Sequence, residues 1–296
     1  MIPDVTIAHE RTAGLTTLAQ SLKAAIETLT RAEAGSPRLN AESLLMFTLS
    51  CDRAHLYAHP ERRLSPDEQA RYENALAQRA RGVPTQYITG HQEFWGLDLI
   101  VTPDVLIPRP ETEHVIETVL ELARGIPAPR IVDVGTGSGC IALALAKELL
   151  EAEIHAVDIS PAALEIARTN AARHDLAGRI QFHEGDLLAG FPNDEQFDFV
   201  ISNPPYVGES EEDQVQLEVR RFEPRTAVFS GPTGFEVMER LIPQAQQVLK
   251  PGGWVVMEIG KGQDNTLRIL LRGWNQPQFT PDLQGIPRVI AVRVPA

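Results

Sequence analysis

The sequence is poor in cysteine: only Cys51 and Cys140 occur among 296 residues. Two cysteines cannot build a disulfide framework, and neither has a Cys or His partner at the spacing of a zinc site. The eight histidines are scattered without a ligand pattern. We therefore predict no metal site and expect the chain to fold in a reducing compartment.

Long apolar runs are also missing. No segment approaches the roughly 20 apolar residues that a membrane span requires. Residues 1–14 carry charges where a signal peptide would need an apolar run. These absences predict a soluble, cytoplasmic protein that has no membrane partner.

Positive charge is in the minority, with 27 basic against 40 acidic residues and a formal net charge of -13. Such an excess of negative charge repels a phosphate backbone unless a local basic patch overrides it. We therefore expect no direct contact with nucleic acid. The length favours about two domains.

The N-terminal part has a helical pattern. Apolar residues recur at helical spacing from Leu15 onward. The last helix of this part is well delimited, because Ser65 can cap it, Glu68 completes a capping box and Gly82 can end it. We predict a small helical domain over residues 1–82.

A connector of residues 83–110 follows, and it contains several prolines and glycines. Within it, the aromatic and branched residues of EFWGLDLIV (Glu93 to Val101) favour extended structure and predict a β-hairpin. The connector is thus expected to be structured.

Strands and helices alternate from residue 111 to residue 296, which predicts an α/β domain with a parallel, doubly wound sheet. Two extended segments near the C-terminus are expected to form an antiparallel edge pair. The seven predicted strands are residues 130–134, 153–158, 180–184, 197–202, 254–260, 278–283 and 288–294.

A glycine-rich loop, DVGTGSG (133–139), lies between the first of these strands and a helical run. Glycines let a backbone turn sharply and approach a ligand closely. A dinucleotide site would have a third glycine where Cys140 stands, so nicotinamide binding is disfavoured. The predicted cofactor loop consists of Gly135, Thr136, Gly137, Ser138 and Gly139.

Acidic residues lie at or just after the carboxyl ends of the next two strands. Asp158 comes 23 residues after Gly135 and can accept hydrogen bonds from both ribose hydroxyls of an adenosyl ligand. At the third strand, Asp186 can accept from an adenine amino group while Leu187 covers the ring. An ordinary Asp turn is the alternative explanation for this third site.

The fourth strand runs directly into Asn203, Pro204, Pro205 and Tyr206. Ligands of open α/β sheets bind outside the carboxyl ends of the strands, so this turn is expected to face the same crevice as the glycine loop. The two prolines fix φ and make a rigid turn with free acceptors. A plain Asn-Pro turn is the alternative, but its position beside the other two motifs favours function.

The turn suits methyl transfer to an amide or aromatic amino nitrogen, which is a poor nucleophile and depends on positioning. The side-chain oxygen of Asn203 and the carbonyl of Pro204 can each accept one N–H of the substrate. The lone pair of that nitrogen is then aimed at the methyl group of a sulfonium donor, which is an activated electrophile. Tyr206 can pack against the planar substrate group.

These motifs, with the segment 82–113 (GVPTQYITGHQEFWGLDLIVTPDVLIPRPETE) and the segment 218–234 (EVRRFEPRTAVFSGPTG), resemble the release-factor glutamine methyltransferases, the PrmC/HemK family of class I methyltransferases. The resemblance covers nearly the whole chain. It implies a seven-stranded, Rossmann-like methyltransferase domain behind an N-terminal helical domain that recognises the substrate. Leu187 departs from the pattern, because several relatives have an aromatic residue there.

The resemblance also implies the reaction. S-adenosylmethionine would be the cofactor, and the substrate would be the glutamine of the Gly-Gly-Gln motif in peptide chain release factors, methylated on N5 of its side chain. By resemblance, residues 135–139, Asp158, Leu187 and Asn203 line the cofactor site, and residues 203–206 form the substrate site. We expect a monomer.

Three alternatives remain open at this point. The same site could methylate a glutamine of a ribosomal protein, or an amino group of a nucleic-acid base stacked on Tyr206. The net charge and the connector argue against the nucleic acid. A catalytically silent binding module is the third alternative, and the intact Asn203 and Asp158 argue against it.

Several charged residues near the motifs are interpreted as structural. Arg220, Arg221 and Arg225 are expected to pair with Glu218 and Glu223 rather than to bind a phosphate.

In the PRPETE segment, Arg109 and two acids could suggest catalysis. Glu111 and Glu113 are instead expected to favour the start of the next helix. Cys140 is expected to pack behind the cofactor loop, because it has no evident His or Asp partner that would make it a nucleophile.

Overall fold

The computed structural model describes residues 16–192 and 196–295. The predicted helical start at Leu15 therefore lies outside the described residues. The chain divides into two compact units, of which the first ends at Thr89 and the second begins at Gly90. No helix in the described ranges is both long and apolar enough to cross a membrane.

The first unit is helical. The predicted capping box of its longest helix is present, since the Ser65 hydroxyl accepts from the Glu68 backbone and the Glu68 carboxylate accepts from the Ser65 backbone. Its core includes Tyr72, whose hydroxyl donates to the carbonyl of Ala41 at 2.9 Å. The helices are α1 (Leu18–Arg31), α2 (Pro37–Leu49), α3 (Arg53–Ala58), α4 (Pro66–Ala80) and α5 (Thr85–Thr89).

The second unit begins with a two-stranded antiparallel hairpin. Its strands are β1 (His91–Phe94) and β2 (Leu97–Ile100), and Trp95 and Gly96 form the turn with positive φ angles of 52° and 66°. Phe94, Leu97 and Leu99 are buried in the core of this unit. The aromatic and branched residues thus anchor the hairpin by burial.

A seven-stranded mixed sheet forms the centre of the second unit, as the sequence predicted. The strand order is β10-β11-β9-β6-β3-β4-β5, and only β11 and its neighbours pair antiparallel. The strands are β3 (Arg130–Val134), β4 (Glu153–Asp158), β5 (Ile180–Glu184), β6 (Phe197–Ser202), β9 (Leu249–Glu258), β10 (Asn275–Pro281) and β11 (Pro287–Arg293); β7 (Val207–Gly208) and β8 (Phe229–Gly231) form a separate parallel pair.

Four strand predictions match the structure residue for residue, and three differ at their ends. Strand β9 begins at Leu249 rather than at Trp254, because the chain already pairs with β6 before Pro251, Gly252 and Gly253. The register shifts between Phe197 and Phe199 of β6 to absorb this irregular stretch. Turn-forming residues therefore concealed the first half of the strand.

Helices cover both faces of the sheet and divide its core into two apolar clusters. This explains why most positions of β3 and β6 are apolar, since parallel strands are buried on both sides. The helices are α6 (Glu113–Leu122), α7 (Cys140–Glu148), α8 (Pro161–Arg173), α9 (Leu217–Phe222), α10 (Arg225–Val228), α11 (Glu236–Val248) and α12 (Asp264–Leu270), with short 3-10 helices at Pro110–Thr112 and Glu209–Gln214.

Asn170 of α8 joins the hairpin to the glycine loop. It is fully buried, its amide nitrogen donates to the carbonyls of Ile100 and Ser138, and its oxygen accepts from the Ile100 backbone. A buried amide with all these bonds satisfied holds its neighbours firmly, because losing any bond would leave a polar group unpaired. The connector and the predicted cofactor loop are thereby held in one arrangement.

Candidate active site

The carboxyl ends of β3, β4, β5 and β6 border one cavity of about 500 Å3. This volume falls in the range of small-molecule sites. The cavity brings together the glycine loop, Asp158, Asp186, Leu187 and Asn203. Further lining residues that the sequence analysis did not single out include Pro103, Val105, Pro108, Thr112, Ile159, Ala227, Phe229 and Arg240.

The three glycines of the loop differ in their surroundings. All have positive φ, at 72° for Gly135, 56° for Gly137 and 83° for Gly139. A Cβ added at Gly135 or Gly137 would meet nothing within 4 Å, whereas one at Gly139 would lie 2.5 Å from Cδ1 of Leu143. Gly139 is therefore required by packing, and the other two leave open space beside the cavity for a close ligand.

Asp133 lies beneath the loop and is fully buried. One carboxylate oxygen accepts from the Thr136 hydroxyl at 2.6 Å and from the Ala142 backbone at 3.2 Å. The other oxygen is buried and has no hydrogen-bond partner among the described residues. Burial raises the pKa of Asp133 to about 7. Asp133 belongs to the DVGTGSG motif, but no role was predicted for it.

Asp158, at the end of β4, accepts one backbone hydrogen bond on each oxygen. The donors are Gly137, at 2.8 Å, and Ser160, at 2.9 Å. Burial raises the pKa of this carboxyl above its usual value. Because each carboxylate oxygen has two lone pairs, both oxygens can still accept from a pair of vicinal hydroxyls.

The third-strand loop places Asp186 and Leu187 at the cavity. The carboxylate of Asp186 accepts from the Arg240 guanidinium at 2.5 Å, so one of its oxygens is already engaged. Leu187 has a positive φ of 54°, an unusual backbone conformation for a residue with a side chain. Ile159, which follows Asp158 and is largely exposed, provides a second apolar surface in the same cavity.

Only part of the Asn-Pro-Pro-Tyr turn lines the cavity. Of the described residues of this turn, Asn203 and Pro205 line the cavity, and Pro204 and Tyr206 do not. The Tyr206 hydroxyl donates to Glu258 at 3.2 Å, and its ring packs closely over Gly260. Contact between Tyr206 and a substrate thus stays a prediction, and in this structure the ring braces the turn from behind.

Two further residues brace the turn. The side chain of Gln263 donates to the carbonyl of Tyr206 at 2.9 Å and accepts from the backbone of Gly260 at 2.8 Å. Gly234 has a positive φ of 86°, and a Cβ there would lie 2.6 Å from the carbonyl oxygen of Tyr206. The backbone of the turn is therefore held by direct contacts with two other segments.

Glu258 and Thr112 form a buried polar pair behind Asn203. Glu258, 2% exposed, accepts from the Thr112 hydroxyl at 2.6 Å. The Thr112 oxygen in turn accepts from the side-chain nitrogen of Asn203 at 3.1 Å. Burial raises the pKa of Glu258 to about 7. An acid at the end of the apolar strand WVVMEIG was a sequence signal for Glu258, but the spacing of the two residues carried none for its contact with Thr112.

Two of the three arginines after the turn form ion pairs, and with other acids than the two that were predicted. Arg220 pairs with Asp213 and Arg225 with Glu212, both in the 3-10 helix Glu209–Gln214.

Glu223, one of the expected partners, is buried and bonds to residues of another segment. It accepts from the guanidinium of Arg109 and from the Ile107 backbone. Burial favours this inward pairing, because a buried carboxylate needs several donors. Arg109 of the PRPETE segment therefore has a structural partner.

The remaining residues of that segment act at helix starts. Glu111 lies in the first turn of the 3-10 helix Pro110–Thr112, and Glu113 lies in the first turn of α6 and accepts from the Trp95 backbone.

Cys140 lines the cavity, and burial raises the pKa of its thiol to about 12. The thiol is therefore protonated at neutral pH and a poor nucleophile.

Two family models match successive parts of the chain, in the order of the two predicted domains. The model of the PrmC N-terminal domain matches residues 20–90, and the model of the methyltransferase small domain matches residues 113–221. Together they cover most of the chain, and both agree with the resemblance inferred from the sequence.

Curated relatives match over almost their whole length. The chain is 54% identical to the release factor glutamine methyltransferase of Koribacter versatilis over 94% of this chain and 99% of that protein. It is 42% identical to the protein of the same name from Geobacter sulfurreducens, over 87% and 89% of the two chains.

Solved structures agree in fold. The hMettl16 catalytic domain in complex with the MAT2A 3'UTR hairpin 6 matches with a TM-score of 0.56 and 22% identity, over 75% of this chain and 84% of that one. The T. thermophilus 16S rRNA N2 G1207 methyltransferase (RsmC), in complex with AdoMet and guanosine, matches with a TM-score of 0.52 and 18% identity, over 69% and 49%. The predicted class I methyltransferase fold is confirmed.

The glycine loop allows a matched test of packing. Replacing Gly137 by Ala should lower the free energy of unfolding by about 1 kcal/mol, because its positive φ strains a residue with a Cβ. Replacing Gly139 by Ala should cost a further ~1–3 kcal/mol, because the Cβ also collides with Leu143. Urea denaturation measures both variants, and equal losses would contradict the packing role.

Glu258 should make stability depend on pH. Because burial raises its pKa from 4.5 to about 7, the native state keeps a proton that the unfolded chain has released. Its contribution to the free energy of unfolding therefore falls as the pH rises from about 4.5 to about 7. Thr112 and Tyr206 bond to Glu258, while Glu111 raises its pKa and Arg288 lowers it.

The variant Glu258→Gln removes this contribution. Between pH 5 and pH 8, urea denaturation should show the stability of the wild type falling relative to the variant, by about 3 kcal/mol at most. Asp133 is present in both proteins, so its own titration cancels in the comparison. A difference that stays constant with pH would show that Glu258 is ionised throughout.

Proposed function

The chain belongs to the release factor glutamine methyltransferases, and on that premise we propose that it methylates N5 of the glutamine in the Gly-Gly-Gln motif of peptide chain release factors, using S-adenosylmethionine. The identity of 54% over 94% of the chain to a relative of that name carries the proposal. The cavity at the carboxyl edge of the sheet supports it, because the glycine loop and Asp158 there suit the cofactor and Asn203 suits the substrate amide.

The cofactor half of the cavity fits an adenosyl group joined to an amino acid. Asp158 has free lone pairs for two ribose hydroxyls, and Ile159 and Leu187 offer apolar surface for the adenine ring. Asp186 can accept from the adenine amino group on the oxygen that Arg240 leaves free. The space beside Gly135 and Gly137 allows the ligand to approach the backbone closely.

When bound, S-adenosylmethionine supplies an electrophilic sulfonium methyl group. The chain's own contribution is to orient the acceptor nitrogen. We propose that Asn203 Oδ1 and the Pro204 carbonyl each accept one N–H of the glutamine amide, while Pro205 forms part of the wall. The nitrogen loses a proton only after it has been methylated, so no side chain has to act as a strong base.

Rigidity of the turn supports this orientation. Gln263, Gly234 and Glu258 fix the backbone and the ring of Tyr206 from behind, so little reorganisation remains when the substrate arrives. We therefore assign Tyr206 to support of the turn.

The partner is proposed to be a release factor, and the helical unit to take part in its recognition. The PrmC N-terminal domain model matches this unit, and Leu39 and Phe47 of α2 are about half exposed. The net charge of -13 supports a protein rather than nucleic acid as substrate. A monomer acting in the cytoplasm, where release factors work, completes the proposal.

The substrate is tested by methyl transfer from labelled S-adenosylmethionine to an unmethylated release factor, with the modified residue located by peptide mass spectrometry. We expect one methyl group on the glutamine of the Gly-Gly-Gln motif. A release factor with that glutamine replaced by Asn is the control. Labelling of a ribosomal protein, RNA or DNA in its place would overturn the substrate assignment.

The two halves of the cavity should respond differently to substitution. Asn203→Ala should lower kcat about a hundredfold or more, because orientation of the amide is lost, while the Kd for S-adenosylmethionine stays largely unchanged. Asp158→Ala should raise that Kd at least tenfold, because the proposed bonds to the ribose disappear. Isothermal titration and single-turnover kinetics measure both, and full activity of Asn203→Ala would refute the orientation mechanism.

A further inference from the structure

The side chain of Asn203 belongs to a chain of hydrogen bonds that starts inside the protein. Its Nδ2 lies 3.1 Å from the Thr112 oxygen, and that oxygen lies 2.6 Å from Oε2 of Glu258. Thr112 and Glu258 are both buried, at 1% and 2% exposure. These bonds run from the sheet to the wall of the cavity, and only Asn203 among their members has a proposed contact with the substrate.

The direction of these bonds follows from the number of hydrogens. Above its pKa of about 7, Glu258 is a carboxylate that only accepts, so the single hydrogen of the Thr112 hydroxyl points to it. The Thr112 oxygen can then serve only as an acceptor for Asn203. The amide of Asn203 therefore has to present its nitrogen to Thr112, since its oxygen would face a lone pair there.

The second acceptor site of Glu258 is also occupied. The Tyr206 hydroxyl donates to Oε1 at 3.2 Å. With a donor on each oxygen, the carboxylate is held in place between the turn and Thr112. The same acid thus supports both the backbone of the turn, through Tyr206, and the amide of Asn203, through Thr112.

We propose that Thr112, with Glu258 behind it, is a positioning residue that fixes the amide of Asn203 with Oδ1 toward the cavity. An amide that turned by 180° would present N–H groups to the substrate amide and could not accept from it. This inference rests on the proposed role of Asn203 as an acceptor. Thr112 thus selects between the two orientations of the Asn203 amide, although it does not itself contact the substrate nitrogen.

The matched pair Thr112→Val and Thr112→Ser tests the proposal. Valine keeps the shape of threonine without the hydroxyl, so kcat should fall about tenfold or more, with KM for the release factor and Kd for the cofactor changed less than threefold. Serine keeps the hydroxyl, so Thr112→Ser should recover most of the lost kcat. An unchanged kcat in Thr112→Val would overturn the proposal.

A double-mutant cycle separates positioning from a general loss of structure. If Thr112 acts through Asn203, adding Thr112→Val to Asn203→Ala should change kcat less than twofold. If the two substitutions lower kcat by independent factors, Thr112 has a structural role of its own and the proposal is wrong.

A spectroscopic measurement keeps this test independent of the substrate. The side-chain NH2 signals of Asn203 in 15N-labelled protein are assigned by their loss in Asn203→Ala. They should shift in Thr112→Val and remain near their wild-type position in Thr112→Ser. Signals unmoved by Thr112→Val would overturn the inference, whereas a wild-type protein that does not methylate release factors would overturn only the proposed function.

Discussion

Parallel pairing of β5, β4, β3 and β6 is the constraint on which the rest of the second unit depends. Parallel strands point their carboxyl ends to one edge, so the glycine loop, Asp158, Asp186 and Asn203 meet there. Val134 and Ser202, the last residues of β3 and β6, are 68 positions apart in the chain. The loops that leave this edge carry six of the polar side chains of the cavity, namely Thr136, Ser138, Asp158, Ser160, Asp186 and Asn203. Helices on both faces exclude water from the strands and leave the edge as the accessible place for a ligand.

The sequence was sufficient to predict that arrangement because its signals are local. Branched apolar runs ended by glycine, Asp or Asn-Pro marked β3, β4 and β6, and four strands were predicted residue for residue. Positions where turn residues lie inside a strand, such as Pro251 in β9, were not predictable, because pairing with β6 overrides the local preference of the chain. The short helix α5 was missed for a related reason, since five residues give too little periodicity.

The site was predicted less completely than the fold. Residues that follow a strand in the chain were identified, but Thr112 and Glu258 are 146 positions apart and their contact exists only in the folded protein. The ion pairs of the arginines were assigned to neighbours in sequence, whereas the chain folds back and brings Asp213 and Glu212 to them. Contacts between distant segments carry no signal in spacing or composition, and the supporting residues of the site are of this kind.

Asn170 determines which segments of the protein unfold together. Its three hydrogen bonds connect β2, the glycine loop and α8, so none of these segments can leave its place without exposing a buried amide. Regions tied in this way open together, as one cooperative unit with a single free energy, rather than fraying separately. The loop that would hold the cofactor therefore shares its local stability with a hairpin some forty residues earlier, and ligand binding should slow amide exchange in that hairpin as well.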